Sequence, residues 1–371
     1  MTRQGRFVPW MAMACALVAC GPSRGAAVAT PSTASGASPT ATAPAPLPLV
    51  AVLDRPFGAA PNTLRLLRAD GGGEVAHIAV DPDAEAVTTS GSLVLVAGSG
   101  ELRAYGTDGR AAAPMAIPES SESLVRGLVG DPTGTRWLFA SVTEVSGTAA
   151  SRIYATGPGA AATQVLSSDA QGSALQPLVW TAGGPVVSDE PLGIGGYVLF
   201  RRTFGSAGLL DLASRTVRPL TDTACAFSDM AADGSIACVL NGREAVNQGG
   251  AVTLRISHPG KAPVDVALPA PVQQAGAALF SPDGAWLTLA SSPALGEGNE
   301  QVTMEVVDAA TGAHHVFGAA GLMPVAWLPD GRLVAVRLPG VAGGDAGTYV
   351  LDAGGNATLL STASSVVGVL R

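Results

Sequence analysis

The segment Phe280-Ser281-Pro282-Asp283-Gly284-Ala285-Trp286-Leu287 decides the fold: the end of an apolar strand, a turn closed by glycine, and the start of a second apolar strand. Each turn residue has a backbone task. Proline presets φ, aspartate bonds the turn amides through its carboxylate, and glycine supplies positive φ. The phrase returns as Trp327-Leu328-Pro329-Asp330-Gly331-Arg332-Leu333-Val334. Weaker copies read Met230-Ala231-Ala232-Asp233-Gly234-Ser235-Ile236 and Trp180-Thr181-Ala182-Gly183-Gly184-Pro185-Val186. The earliest are Asp131-Pro132-Thr133-Gly134 ahead of Trp137-Leu138-Phe139, and Thr89-Ser90-Gly91 ahead of Leu93-Val94-Leu95. The turn glycines stand at 91, 134, 184, 234, 284 and 331, so the intervals are 43, 50, 50, 50 and 47 residues. Strands repeating at this period without helical periodicity predict an all-β chain folded as a β-propeller.

Each repeat divides into four strands, a to d. In the copy around Gly284 they are 277–280, 286–290, 302–307 and 314–317. Strand c recurs at 63–67, 101–105, 152–155, 208–212, 252–256, 302–307 and 348–351. Seven c strands against six glycine turns leave one blade without its a–b turn. The two ends of the chain supply the missing pieces: 47–54 reads as a strand b with nothing before it, and 365–370 as a strand a with nothing after it. Pairing them gives seven four-stranded blades, closed by the N- and C-terminal strands, and removes the exposed edges of an open array.

The chain has 371 residues, 47% hydrophobic and 13% charged, with 47 Gly and 27 Pro. That composition suits many short strands joined by tight turns. The formal net charge is −8, and the longest basic run is the pair Arg201-Arg202. Nucleic acid and anionic lipid surfaces call for clustered cations, so both are disfavoured as partners. Arg3 and Arg6 form a positive start, 7–18 is a short apolar run, and Leu17-Val18-Ala19-Cys20 closes it. This end resembles the lipobox of bacterial lipoproteins at every position. The resemblance implies a signal peptide over 1–19, cleavage before Cys20, lipidation of its sulfur and acylation of the new amino terminus. Several acyl chains anchor stably where one does not, since each buried CH₂ contributes roughly 0.8 kcal/mol. Gly21 in place of aspartate implies, by resemblance to known sorting, the outer membrane of a cell with two. Residues 20–47 are then a lipidated cysteine and a tether rich in Pro, Ser, Thr and Ala, too poor in apolar bulk to bury a core. The propeller domain occupies 48–371.

Phe280-Ser281-Pro282-Asp283-Gly284-Ala285-Trp286-Leu287 also resembles the WD-like repeat of TolB-type periplasmic propellers, in which an aromatic residue, Ser-Pro-Asp-Gly and an apolar strand define each blade. The match is close in that copy and good at 327–334, and elsewhere falls to a glycine turn with apolar flanks. It implies a propeller outside the cytoplasm and says little of the ligand, because one fold hosts many functions. Asp283 and Asp330 are read as turn residues, with no catalytic part.

Constellations that would carry chemistry are missing from the pattern. The chain has four histidines, His77, His258, His314 and His315, and no Cys-x-x-Cys or His-x-x-x-His spacing, so neither a zinc site nor any cofactor is expected. His314 and His315 alternate faces on a strand and cannot share an ion. Asp81-Pro82-Asp83-Ala84-Glu85 lacks the spacing of a dedicated calcium loop. No Gly-x-Ser-x-Gly elbow or phosphate-binding loop occurs, and Asp131-Pro132-Thr133-Gly134-Thr135-Arg136-Trp137 departs from the sialidase-type Asp-box in the place of its glycine. Trp137, Trp180, Trp286 and Trp327, all beside turns, are read as packing between neighbouring blades.

Cys225 and Cys238 are the cysteines left once 1–20 are set aside, and an oxidising compartment favours a disulfide. A turn over 231–234 makes facing residues sum to 465. The two cysteines sum to 463 and are diagonal neighbours, about 7–8 Å apart, beyond the usual span of a bridge. A one-residue bulge in the turn would bring them into register. A bridge and two buried thiols both remain open at this point. The function expected from these features is that of a lipid-anchored, extracytoplasmic, non-catalytic binding or scaffold module for a protein or envelope partner. The competing readings are a metal-dependent, lactonase-like hydrolase, which needs carboxylates converging on the channel, and a small-ligand sensor, which needs a closed apolar pocket at the axis.

Overall fold

A computed structural model describes residues 48–54, 62–98, 100–118, 123–192, 205–222, 224–240, 252–268, 271–272, 274–293 and 301–371. The expected signal segment, Cys20 and the tether lie outside the described residues. The strands, β1 to β28 in chain order, form seven antiparallel four-stranded sheets. The first blade takes β1 (Leu49–Asp54), β2 (Asn62–Arg68) and β3 (Glu74–Val80). The second is β4 (Ala84–Ser90), β5 (Leu93–Gly98), β6 (Glu101–Tyr105) and β7 (Met115–Ala116); the third is β8 (Leu124–Gly130), β9 (Trp137–Val145), β10 (Thr148–Thr156) and β11 (Thr163–Gln171). The fourth is β12 (Ser173–Thr181), β13 (Gly184–Pro191), β14 (Ala207–Asp211) and β15 (Thr216–Thr221); the fifth is β16 (Cys225–Met230), β17 (Ile236–Leu240), β18 (Thr253–Ser257) and β19 (Val264–Ala267). The sixth is β20 (Gln274–Phe280), β21 (Trp286–Ser292), β22 (Thr303–Asp308) and β23 (His314–Val316); the seventh is β24 (Met323–Trp327), β25 (Leu333–Arg337), β26 (Gly347–Leu351) and β27 (Ala357–Ser361). The last strand, β28 (Val366–Leu370), returns to the first blade and pairs antiparallel with β1. The expected seven blades and their closure by the two chain ends are what the structure shows.

The turn glycines behave as their place in the repeat demands: Gly91, Gly134, Gly184, Gly234, Gly284 and Gly331 all have positive φ. Apolar clusters fill the space between neighbouring sheets all the way round. Leu66 and Val94 meet between the first and second blades, Phe227 and Val186 between the fourth and fifth, and Val52 and Val334 between the seventh and first. Strands b are buried on both faces and read as continuous apolar runs, such as Leu-Val-Ala-Val in β1 and in β25. The outermost strands face solvent, as in β15 and β23.

All seven inner strands break register against strand b, at Ala51/Val52 on the partner of β28 and at Ala84/Ala86, Arg126/Val129, Pro177/Val179, Phe227/Asp229, Gly276/Leu279 and Pro324/Ala326. A bulge sharpens the local twist and re-aims the side chains beyond it, as strands converging on an axis require. One of these bulges governs the cysteines. The turn of the fifth blade pairs Met230 with Ile236, a sum of 466, not 465. Kept throughout, that register would set Cys225 and Cys238 on opposite faces of the sheet. The break between Phe227 and Asp229 restores 465, Cys225 faces Leu240, and Cys238 faces Phe227. The bulge lies in the strand and not at Ala231-Ala232, and the cysteines stay diagonal. A disulfide joins them across that diagonal, with Cα atoms 5.4 Å apart, closer than the spacing expected for such neighbours.

Candidate binding mouth of the central channel

The inner strands β28, β4, β8, β12, β16, β20 and β24 carry three charged residues among them, Glu85, Arg126 and Asp229. Both carboxylates serve the backbone of the following blade. Asp229 Oδ2 accepts from the Phe280 amide at 2.9 Å, and Glu85 accepts from the Val125 amide. Among the described residues no three of His, Cys, Asp or Glu come close enough to hold a metal ion. His314 Nδ1 stands 3.2 Å from Glu305 Oε2, His77 Nδ1 3.3 Å from Glu74 Oε1, and the strand carrying His314 and His315 is exposed. Asp81 caps the Asp83 amide at 2.9 Å.

At the end of the channel where the a–b turns gather lies a cavity of about 290 Å³. Its apolar wall comes from one place in the repeat, the last residues of strand a. The fourth blade supplies Trp180, the fifth Met230, the sixth Phe280 and the seventh Trp327, with Arg371 at the edge. Met230 and Phe280 are buried while Trp180 and Trp327 are half-buried, so the indoles offer part of their surface to the cavity. Trp327 Nε1 donates to the Leu279 carbonyl at 3.1 Å, which fixes the ring across the gap between two blades. The Arg136 guanidinium lies 5.2 Å above the Trp180 ring, within range of a cation–π contact, and Arg371 Nη2 donates to the Trp327 carbonyl at 3.1 Å. An apolar floor with Arg371 at its border suits a segment bearing an apolar or aromatic side chain and a nearby negative charge.

The remaining arc of the mouth is closed. Ser90 and Gly130 hold the equivalent positions in the second and third blades, and a Cβ built on Gly130 would overlap Ser90. Likewise a Cβ on Gly368 would overlap Thr89. Ser90 Oγ donates to the Asp131 carbonyl and the Arg371 amide to the Gly91 carbonyl, both at 2.8 Å. A larger cleft of about 570 Å³ lies off the axis between the first and second blades, with Asp81, Glu101, Arg103 and Tyr105 on its walls. Its arginine is already closed on its own strand, with Arg103 Nη2 2.7 Å from Glu101 Oε2, and the pair is solvent-screened. The mouth is therefore the stronger candidate.

The turn aspartates are electrostatically settled. Asp283 takes the Ser281 hydroxyl and the Ala285 amide, Asp330 the Arg332 guanidinium and amide, and Asp233 the Ser235 amide and hydroxyl. These bonds favour the charged form and hold all three carboxyls below their ordinary value. Such groups are poor proton carriers near neutrality, as the sequence reading of Asp283 and Asp330 expects.

The tryptophans meet the reading as interblade packing in part. Trp137 is buried in an interblade core, 4% exposed, and Trp180 and Trp327 pack against interblade clusters while also bordering the mouth, whereas Trp286, 41% exposed, departs from it. Trp137 and Trp286 follow the turn, while Trp180 and Trp327 precede it, beyond the bulge that swings the end of strand a toward the axis. The signal was in the repeat itself, as the large apolar residue ahead of each turn in four consecutive copies.

No protein-family model matches the sequence, and no curated protein is detectably similar to it. Among solved structures, an acylaminoacyl peptidase of Pyrococcus horikoshii is 13% identical, over 84% of this chain and 52% of that one, with a TM-score of 0.53. This chain thus spans about half the length of that peptidase. An oligogalacturonate lyase in complex with manganese is 12% identical, over 84% of this chain and 97% of that one, with a TM-score of 0.50. TolB of Acinetobacter baumannii is 14% identical, over 87% of this chain and 82% of that one, with a TM-score of 0.44. Likeness at this identity speaks for the propeller fold alone.

Proposed function

We propose that the chain is a lipid-anchored, extracytoplasmic binding module, held to a bacterial membrane through Cys20, which takes a segment of a partner protein at the mouth of its channel. The observation that carries the reading is the half-ring of Trp180, Met230, Phe280 and Trp327 around an open cavity, beside an arc that the same fold seals with Ser90 and Gly130. Partly exposed indoles next to cations are the kind of anchor that protein interfaces use, supplying large contact area at low conformational cost. The engagement of Asp229 and Glu85 with neighbouring backbone supports binding over hydrolysis, because neither is free to polarise water.

The test uses the full mature chain and a displayed peptide library. Peptides selected on it should carry an aromatic or aliphatic residue beside an acidic one, and Trp327→Ala should weaken them at least tenfold. Arg103→Ala, in the outer cleft, should leave them unchanged. Selected peptides that bind Trp327→Ala and the parent equally would remove the mouth from consideration. The anchor is tested separately: Cys20→Ala should abolish fatty-acid labelling and shift the protein out of the membrane fraction. Identical labelling and fractionation would dispose of the lipid anchor.

A further inference from the structure

His258 follows β18 and is half-buried. Its Nε2 stands 2.8 Å from the Ala309 carbonyl of the sixth blade, and its Nδ1 stands 2.8 Å from Ser235 Oγ in the a–b turn of its own blade. Ser235 is 1% exposed, and its Oγ lies 3.0 Å from Asp233 Oδ2. One ring thus joins three segments: the c–d turn of the fifth blade, its a–b turn, and the start of the c–d turn of the sixth.

A count of protons distinguishes the two states of the ring. A carbonyl only accepts, so Nε2 carries hydrogen in either state. With a neutral ring Nδ1 is bare, and the single Ser235 hydroxyl hydrogen faces two acceptors, Nδ1 and the Asp233 carboxylate. One of these contacts then sets lone pair against lone pair. With a protonated ring Nδ1–H donates to Ser235 Oγ and the hydroxyl donates to Asp233. The chain from the Ala309 carbonyl to the Asp233 carboxylate is then complete, with every hydrogen placed. Charge-assisted bonds at both ends make that state the stronger one.

We propose that His258 is a proton-operated latch that fastens the a–b turn of the fifth blade to the sixth blade when its ring is protonated. Of the charged and titratable groups around it, Asp233 favours the charged ring, while Lys261 carries like charge. Asp233 faces the ring from the a–b turn, and the Ser235 amide and hydroxyl hold its carboxyl below the ordinary range, with the His258 charge adding to the effect. Lys261 lies on the same c–d turn and donates its amide to the His258 carbonyl at 3.2 Å. From the sixth blade comes Asp308, whose carboxylate already accepts from the Ala310 and Thr311 amides at 3.0 and 2.8 Å. The latch stands apart from the binding reading, although the turn it fastens contributes Ala231 and Ala232 to the wall of the mouth.

His258→Gln keeps a donor for the Ala309 carbonyl and an acceptor for Ser235 but cannot take up a proton. On lowering the pH from about 8 to about 5.5, the range in which histidine charges, the melting temperature of the parent should rise relative to His258→Gln. For a domain of this size we expect a difference of roughly 2 °C or more. Subtracting the variant cancels the His314–Glu305 and His77–Glu74 pairs, which both proteins retain. Ser235→Ala, which breaks the middle of the chain, should abolish the difference as His258→Gln does. Parallel pH profiles for the parent and His258→Gln would overturn the latch. Should either variant fold poorly, nitrogen NMR of the parent decides. Ring protonation should move the Ser235 amide resonance and raise the protection of the Gly234 and Ala309 amides beyond the slowing that acid gives every amide, and protonation without those changes would equally overturn it.

Discussion

The inner strands of the first three blades and of the last four pack in opposite ways, although all but the first, which joins the two chain ends, run into a turn that carries a positive-φ glycine. Gly130 meets Ser90 and Gly368 meets Thr89 so closely that a methyl group would not fit, and that side of the mouth is sealed. From the fourth blade to the seventh the position of Gly130 holds Trp180, Met230, Phe280 and Trp327, and the strands stand apart around a cavity. The turn sets where each strand stops, while the residue ahead of it sets how near the next strand can come. A propeller thereby acquires an off-centre site with no change of topology, by keeping closure in one arc and a cavity in the other.

The largest loss is expected where the closed arc loses a strand. Deleting residues 366–371 removes the inner strand of the first blade, exposes the edge of β1 and takes away the bond from the Arg371 amide to Gly91. We expect no cooperative unfolding transition, whereas deleting residues 21–45 should leave the melting temperature within a degree or two of the parent. Equal melting of the two truncations would mean that closure by the chain ends contributes little.

Next in size is a substitution that gives the closed arc the chemistry of the open one. Gly130→Leu forces a branched side chain against Ser90 and should cost about 3 kcal/mol, the upper end of overpacking. Trp327→Ala, in the open arc, removes a half-buried ring and should cost nearer 1 kcal/mol. Urea unfolding of both variants measures the contrast, and similar losses would refute the two-arc description. Inside the open arc, the Cys225–Cys238 bridge closes a short loop, and Cys225→Ala with Cys238→Ala should cost about 2–3 kcal/mol. A non-reduced digest checks the bridge itself, and two alkylatable thiols in the folded protein would exclude it.

What was legible in the sequence follows the same division. Gly284 and Gly331 announce themselves because a backbone with positive φ accepts few other residues, so the repeat, the blade count and the joining of residues 365–370 to 47–54 could all be read. Trp180 and Trp327 were visible as residues but not as a site. Whether a large side chain at a strand end faces the next blade or the axis depends on the bulge before it, and a bulge such as that between Pro324 and Ala326 leaves no mark in the pattern. The cysteines teach the same point, since the break between Phe227 and Asp229 decides which face they share. The His258 network was illegible because Ser235, His258 and Ala309 are neighbours only once the blades have stacked.

The smallest expected effect is the response to acid, and it follows the turn aspartates, one of which, Asp131, lies in the closed arc. In the last three blades the a–b turns carry Asp233, Asp283 and Asp330, while the turn of the second blade is Ser90-Gly91 with no carboxylate. Hydrogen bonds from turn amides and side chains hold Asp233, Asp283 and Asp330 below their ordinary value, with Ser281 first for Asp283 and Arg332 first for Asp330. A depressed carboxyl in the folded state binds its proton less readily than in the unfolded chain. Its contribution is therefore fully present above the unfolded value, about 3.9, and is lost as pH falls through the lower folded value. Stability should be nearly level above about pH 5 as far as these groups go, and should decline between about pH 4 and pH 2. Within that decline the Gly234, Gly284 and Gly331 amides, which close the acidic turns, should begin to exchange before the Arg371 amide, whose acceptor lies in the turn without aspartate. Asp283→Asn should lower stability at neutral pH and flatten the fall in acid, because an amide side chain has no proton to take up. Hydrogen exchange at about pH 3 and acid titration of the variant read the two effects. If Asp283→Asn declines in acid as steeply as the parent, the turn carboxylates do not drive the loss.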